Sequence, residues 1–151
     1  MEIGEKMSEF DILPLMVKDH CKIENLIDKL EESTKGDPSA MIKSFNKFEW
    51  ELEKHIFVEE KAIFTSYNPE DVTLGYKMLP ELTKQHNEIL NRLNIMRKDV
   101  RSRRMIKDVY GFKEFMINHR AFEEKEVYPK LDEALDETQK RRIIDKINEI
   151  V

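Results

Sequence analysis

The sequence predicts an all-α protein, an antiparallel up-down-up-down four-helix bundle with a short C-terminal helix. Three observations lead there. Glycine and proline are scarce, four and five in 151 residues, while the good helix formers Glu, Lys, Leu, Ile and Met dominate. No alternation of β-branched residues is sustained over the length of a strand. The helix breakers fall in clusters: Lys35-Gly36-Asp37-Pro38, Asn68-Pro69-Glu70-Asp71 and, more weakly, the polar stretch from Asp99 to Arg104. They cut the chain into segments of roughly 25 residues, each spanning ~37 Å at the α-helical rise. Long amphipathic helices joined by short connections pack as antiparallel neighbours.

The first segment, 11–34, carries Leu15, Ile23, Leu26, Ile27 and Leu30 at helical spacing, with Pro14 tolerable in its first turn. The second, 38–66, opens on Asp37-Pro38-Ser39, a capping aspartate with proline in the first turn, and carries Phe45, Phe48, Leu52, Phe57 and Ile63. The third, 73–99, contains Pro80, which predicts either a helix start just before it or a kink. The fourth runs over 105–134. Asp136-Glu137-Thr138-Gln139 opens the last, 137–150, whose apolar stripe is Ile143, Ile144, Ile147 and Ile150. The chain reads as one domain over 1–151.

Composition narrows the function. With 26 basic and 31 acidic residues the net charge is −5, which argues against a nucleic-acid partner. No stretch approaches the ~18 uninterrupted apolar residues of a membrane span, and residues 1–10 lack the apolar core of a signal peptide. The single cysteine, Cys21, excludes an internal disulfide framework and suits a reducing compartment. The expectation is a cytoplasmic protein without a membrane partner.

The chain repeats itself. Leu13-Pro14, Lys18 and His20 recur 66 residues later as Leu79-Pro80, Lys84 and His86. The run from His55 through Glu59, Glu60 and Lys61 returns 64 residues on as His119 through Glu123, Glu124 and Lys125, followed in each case by an apolar pair, Ile63-Phe64 and Val127-Tyr128. Helices one and two therefore look like a copy of helices three and four, a pattern that gives a bundle an approximate two-fold axis.

All four histidines occupy matched places in this repeat, one per helix: His20, His55, His86 and His119. Glu59 and Glu123 follow His55 and His119 by four residues, so each pair shares a helix face one turn apart. His20 and His86 can reach the same level from the other two helices. Imidazole nitrogen with carboxylate oxygen is a donor set for Fe, Mn or Zn, and two carboxylates shared between two metals is how a helical bundle builds a dimetal site. A lone helical histidine is usually a surface or hydrogen-bonded core residue, and Glu at i+4 usually marks a solvated face. Against that stands the joint pattern: no histidine is left over. The neighbours Ile56, Phe57, Val58 and Phe122 are also apolar, and charge among them is expensive without a compensating metal or partner.

On these residues the chain resembles the hemerythrin-like, or HHE cation-binding, domains. The likeness covers nearly the whole chain: a leading His in helix one, His-x-x-x-Glu in helix two, His in helix three and His-x-x-x-Glu in helix four. It implies a four-helix bundle with a non-haem di-iron centre, held by His20, His55, Glu59, His86, His119 and Glu123 and closed by an oxo or hydroxo bridge. Zinc or manganese would accept the same donors. Two departures separate the chain from the oxygen-carrying hemerythrins. Their second histidine, one turn after the third-helix histidine, is replaced by Leu90. Their last carboxylate lies five residues after the final histidine, where Glu124 stands here; the four-residue spacing to Glu123 matches the second helix and is preferred, as Glu59 is over Glu60. Four histidines and two glutamates look more like the domains of iron-sensing and iron-repair proteins.

The ligand count leaves an open position on each iron. The resemblance thus implies binding or sensing of a small ligand (O₂, NO or peroxide), with iron storage, donation or iron-centre repair, or an oxidase- or peroxidase-like activity, as alternatives. Leu90 and apolar neighbours are expected to line the ligand pocket. Glu24, one turn after His20, reads as a supporting or surface carboxylate rather than a ligand. Cys21 points about 100° away from His20 around the helix. Trp50 and Phe48 read as core. Tyr67, Tyr76, Tyr110 and Tyr128 read as helix-end packing, though one lying near the metal could hydrogen-bond a bound ligand. Arg101, Arg103 and Arg104 read as a solvated helix end, and the eight methionines as gap-filling core.

Overall fold

A computed structural model describes residues 9–66 and 73–150. Among them helices joined by turns are the regular structure, with no strand. The elements are α1 (Ile12–Ser33), α2 (Pro38–Val58), α3 (Thr73–Arg101), α4 (Val109–Phe122), α5 (Tyr128–Ala134) and α6 (Glu137–Ile150). The breaker cluster Asn68 to Asp71, Tyr67 and the side chain of Tyr76 lie outside the described residues.

The starts follow from local chemistry. Asp37 accepts from the Ala40 amide at 3.0 Å, with Pro38 opening α2 where its missing N–H costs nothing. Asp136 and Gln139 exchange side-chain-to-backbone bonds at 2.8 Å in both directions, a capping box that starts α6. Asp11 makes no side-chain cap on α1. Instead Asp132, from α5, accepts the amides of Ile12 and Leu13 at 2.6 and 2.9 Å, and buried Lys140 of α6 pairs with Asp11 at 2.5 Å. Pro14 sits in the first turn of α1, but Pro80 does not start α3: the helix begins seven residues earlier and runs through it.

Helix α1 packs on α2 and α4, and α3 packs on the same two. The core falls into two apolar blocks. One gathers Ile23, Ile27, Leu30, Phe45, Phe48, Leu52, Ile89, Leu93 and Phe112; the other gathers Ile12, Met16, Val58, Ile63, Leu82, Tyr128, Leu131 and Ile143. On every long helix the histidine stands at the change-over: Met16 then His20 then Ile23, Leu82 then His86 then Ile89. A buried polar layer therefore divides the core.

Several apolar residues lie elsewhere than expected. Trp50 is 68% exposed and Phe57 49%, so neither belongs to the core. Leu15 and Tyr110 are also exposed, whereas Phe48 is fully buried. Met16, Met41, Met96 and Met116 do fill the interior.

Candidate metal centre

Both His-x-x-x-Glu-Glu motifs share a local feature absent from an ideal helix. The α-helix ends at the residue before the first glutamate, and one π turn follows, Glu59–Ile63 and Glu123–Val127. Its signature is the i+5 bond: the Phe64 amide donates to Glu59 and the Tyr128 amide to Glu123. The His-to-Glu step thus keeps α-helical geometry, while the wider turn beyond it places the i+5 side chain near the glutamate's own face. That puts Tyr128 against the polar layer, fully buried, with its hydroxyl donating to Glu59 Oε2. Phe64 holds the matching place in the first motif and has no hydroxyl to offer. Both rings stack beside a histidine, Tyr128 at 6.2 Å from His20 and Phe64 at 6.4 Å from His86.

The structure brings all six sequence-nominated residues together. Glu59 and Glu123 are completely buried, and the four histidines are at most 4% exposed. Two groups have ligand atoms close enough to hold a cation: His20, His55, Glu59 and Glu123, and Glu59, His86, His119 and Glu123. Both glutamates belong to both groups. The Nε2 atoms of His20 and His119 lie 3.0 and 3.2 Å from Glu123 Oε1, and those of His55 and His86 lie 3.2 and 3.1 Å from Glu59 Oε1. None of these pairs is aligned as a hydrogen bond: the four Nε2 atoms, Glu59 Oε1 and both Glu123 oxygens are buried without hydrogen-bond partners. Such atoms are costly unless something sits between them. A cation among nitrogens and carboxylate oxygens satisfies them all.

The outer ring nitrogens settle the tautomers. His20 Nδ1 meets Glu124 at 2.7 Å, His55 Nδ1 meets Asp19 at 2.5 Å, His86 Nδ1 meets Glu60 at 2.9 Å and His119 Nδ1 meets Gln85 Oε1 at 2.7 Å. Each of these oxygens accepts, so Nδ1 carries a hydrogen, and in the neutral ring the Nε2 lone pair is directed inward. Glu60 and Glu124, the competing carboxylates, act from behind the rings rather than among the inward donors. Glu24 is likewise outside, paired with Arg120 at 2.7 Å. Sequence reasoning named Asp19 and Gln85 for no role; their only signal was their repeat-matched place one residue before His20 and His86.

The carboxylates also favour protonation of the rings that face them. Burial alone favours neutral imidazole, but the Glu59 charge and the hydrogen bond to Asp19 lift His55 to about 10. Burial likewise opposes charge on His86, yet the carboxylates of Glu123, Glu59 and Glu60 raise it to about 11. His20 is raised too, against burial, by Glu123 and Glu124. Burial opposes ionisation of Glu123, but Glu59 and the surrounding histidines hold its carboxyl well below the usual range.

Access is narrow. A cavity of about 10 Å³ between α1 and α4 reaches His20 and His119, one histidine from each group, past Ile23, Ile27, Met116 and Arg120. That is room for about one water molecule. Leu90 does not line it; the residue is 38% exposed at the surface. Cys21 is exposed, 3.4 Å from the Arg120 guanidinium.

The profile of the hemerythrin HHE cation binding domain matches residues 11–131. The chain belongs to the hemerythrin HHE cation-binding family. The match spans α1 to the middle of α5 and so contains every residue of the buried cluster. Comparisons with curated proteins and with solved structures found no significant match. As an HHE cation-binding domain the protein is helical, with His and Glu groups that could hold a metal ion. No helix among the described residues is long and apolar enough to cross a membrane.

Proposed function

We propose that the protein holds two iron ions in a carboxylate-bridged centre and binds or senses a small ligand of the O₂ or NO type there. The supporting observation is the set of inward Nε2 atoms, two for each group, facing two buried glutamates common to both. His20 and His55 would hold one iron, His86 and His119 the other, and Glu59 and Glu123 would span the pair. The packing of α1 and α3 on α2 and α4 supports an antiparallel up-down-up-down bundle as the frame. When bound, the irons would supply reversible one-electron chemistry and open positions for a diatomic ligand.

The chain's own residues do the rest. Asp19, Glu60, Gln85 and Glu124 fix each imidazole so that its lone pair meets the metal without reorientation. The two apolar blocks flank the cluster on either side, and a cavity with room for about one water molecule touches His20 and His119. A cytoplasmic setting accords with this reading.

Anaerobic loading with ferrous iron tests it. Two irons per chain are expected, and fewer than one would overturn the reading. Exposure of the loaded protein to O₂ or NO then separates the alternatives. An optical change reversed by removing the gas supports binding or sensing. Rapid irreversible oxidation would instead support iron storage or donation, or turnover of an oxidase or peroxidase kind.

A further inference from the structure

We infer that the two metal positions are not equivalent, and that the one at His20 and His55 binds its metal more tightly and fills first. The inference rests on the two-metal reading above and concerns the groups behind the ligands. The repeat gives each position the same plan: one histidine is backed by the second glutamate of a His-x-x-x-Glu-Glu motif, the other by the residue preceding a leading histidine. Two substitutions break the symmetry. Asp19 backs His55 at 2.5 Å, whereas its repeat partner Gln85 backs His119 with a neutral amide. That amide is fixed in place by its donation to Glu81 at 3.1 Å. Arg120 clamps Glu124 at 2.7 Å and is itself held by Glu24; its repeat counterpart is Ile56, so among the described residues Glu60 has no such clamp, and it is 46% exposed.

The chemistry gives the direction. A carboxylate accepting from Nδ1–H makes the opposite nitrogen a stronger donor, and removing such a partner typically weakens metal binding 10- to 100-fold. The His20–His55 position has two carboxylates in direct contact, one of them rigidly held. The His86–His119 position has one exposed carboxylate and one amide. An amide fixes the ring as well as a carboxylate does but adds no charge. The difference therefore falls on affinity rather than on ligand geometry.

Zinc is the probe, because it is redox-inert and accepts the same donors. The metal-free protein, with ¹⁵N-labelled histidine, is titrated with Zn²⁺ against a competing chelator. At one equivalent the ring resonances of His20 and His55 are expected to reach their metal-bound positions while those of His86 and His119 stay metal-free. The order decides, since repulsion between two cations would separate the steps by itself. Asp19→Asn should weaken the first step by roughly tenfold or more, and Gln85→Glu should strengthen the second by a similar factor. The second variant is a gain of affinity, so a folding defect cannot imitate it. If both pairs fill together, if His86 and His119 fill first, or if neither variant moves its step, the inequivalence fails while the metal reading stands. If neither zinc nor iron binds, both fail.

Discussion

Each buried histidine does two jobs with one ring: its outer N–H is tied to an acceptor and its inner nitrogen is left without a partner. Residues that look interchangeable in the motif therefore have different tasks. Glu59→Ala or Glu123→Ala is expected to abolish two-metal stoichiometry, because each glutamate serves both groups. Glu124→Ala should retain two metals and weaken binding by roughly 10- to 100-fold, since it acts through His20. Metal analysis with a chelator competition checks both; loss of stoichiometry in the Glu124 variant alone would show that the five-residue spacing carries the ligand. Tyr128→Phe, which copies the repeat partner Phe64, should keep two metals yet destabilise the metal-free protein by about 1–3 kcal/mol, because Glu59 Oε2 loses its donor in a dry site. Denaturant unfolding reads the second effect, and a lost metal would make the hydroxyl itself a ligand. The six inward residues were legible because His and Glu are rare in apolar surroundings and their spacing repeats. Trp50 and Phe57 were misread because a helical stripe is broad, and residues at its edge can turn either way; Leu90 was placed at the pocket by its family position, not by the stripe.

At the scale of elements, the two π turns are the feature that spacing rules do not reveal. A single extra residue per turn leaves the local sequence looking like ordinary helix, so the approach of Tyr128 to Glu59 could not be read from i+3 and i+4 neighbours. Pro80 shows the reverse case, a strong breaker signal overridden by tertiary packing of Leu82, His86 and Ile89 on the far side of an exposed proline. The breakers Gly36 and Pro38 were reliable because a local cap, Asp37 on Ala40, agrees with them. The start of α1 depends on a distant residue, Asp132, some 120 positions away. Asp132→Ala should cost about 1–2 kcal/mol, the usual loss for a helix N-cap, and leave metal stoichiometry unchanged. Burial raises the Asp132 carboxyl above its ordinary range, so its charge is held at some expense and its worth lies in the two amides it accepts. A stability loss well under 0.5 kcal/mol would show that α1 needs no cap there.

Across the whole molecule the polar layer ties α1, α2 and α3 to α4 between two apolar blocks, so its ionisation bears on the stability of the entire fold. The metal-free and metal-loaded proteins should therefore respond differently to pH. A histidine raised in the folded state contributes stability that is complete below its ordinary value of 6.5 and is lost as pH climbs through its folded value. For His55 and His86 those folded values are about 10 and about 11. Glu123 is depressed, so its contribution is present above its ordinary 4.5 and fades as pH falls. The metal-free cluster therefore supports the fold best between these two ordinary values and progressively less on the alkaline side. Metal must displace the same protons, so its binding strengthens over the range in which the metal-free cluster weakens. Loading with zinc near pH 8 should release protons, including those of His55 and His86, measurable with an indicator dye in weak buffer. Melting curves at about pH 6, 8 and 9.5 should show the metal-free protein losing stability while the gap to the zinc-loaded form widens. A gap that stays constant across that range, with no protons released, would mean that the metal displaces no protons from these histidines.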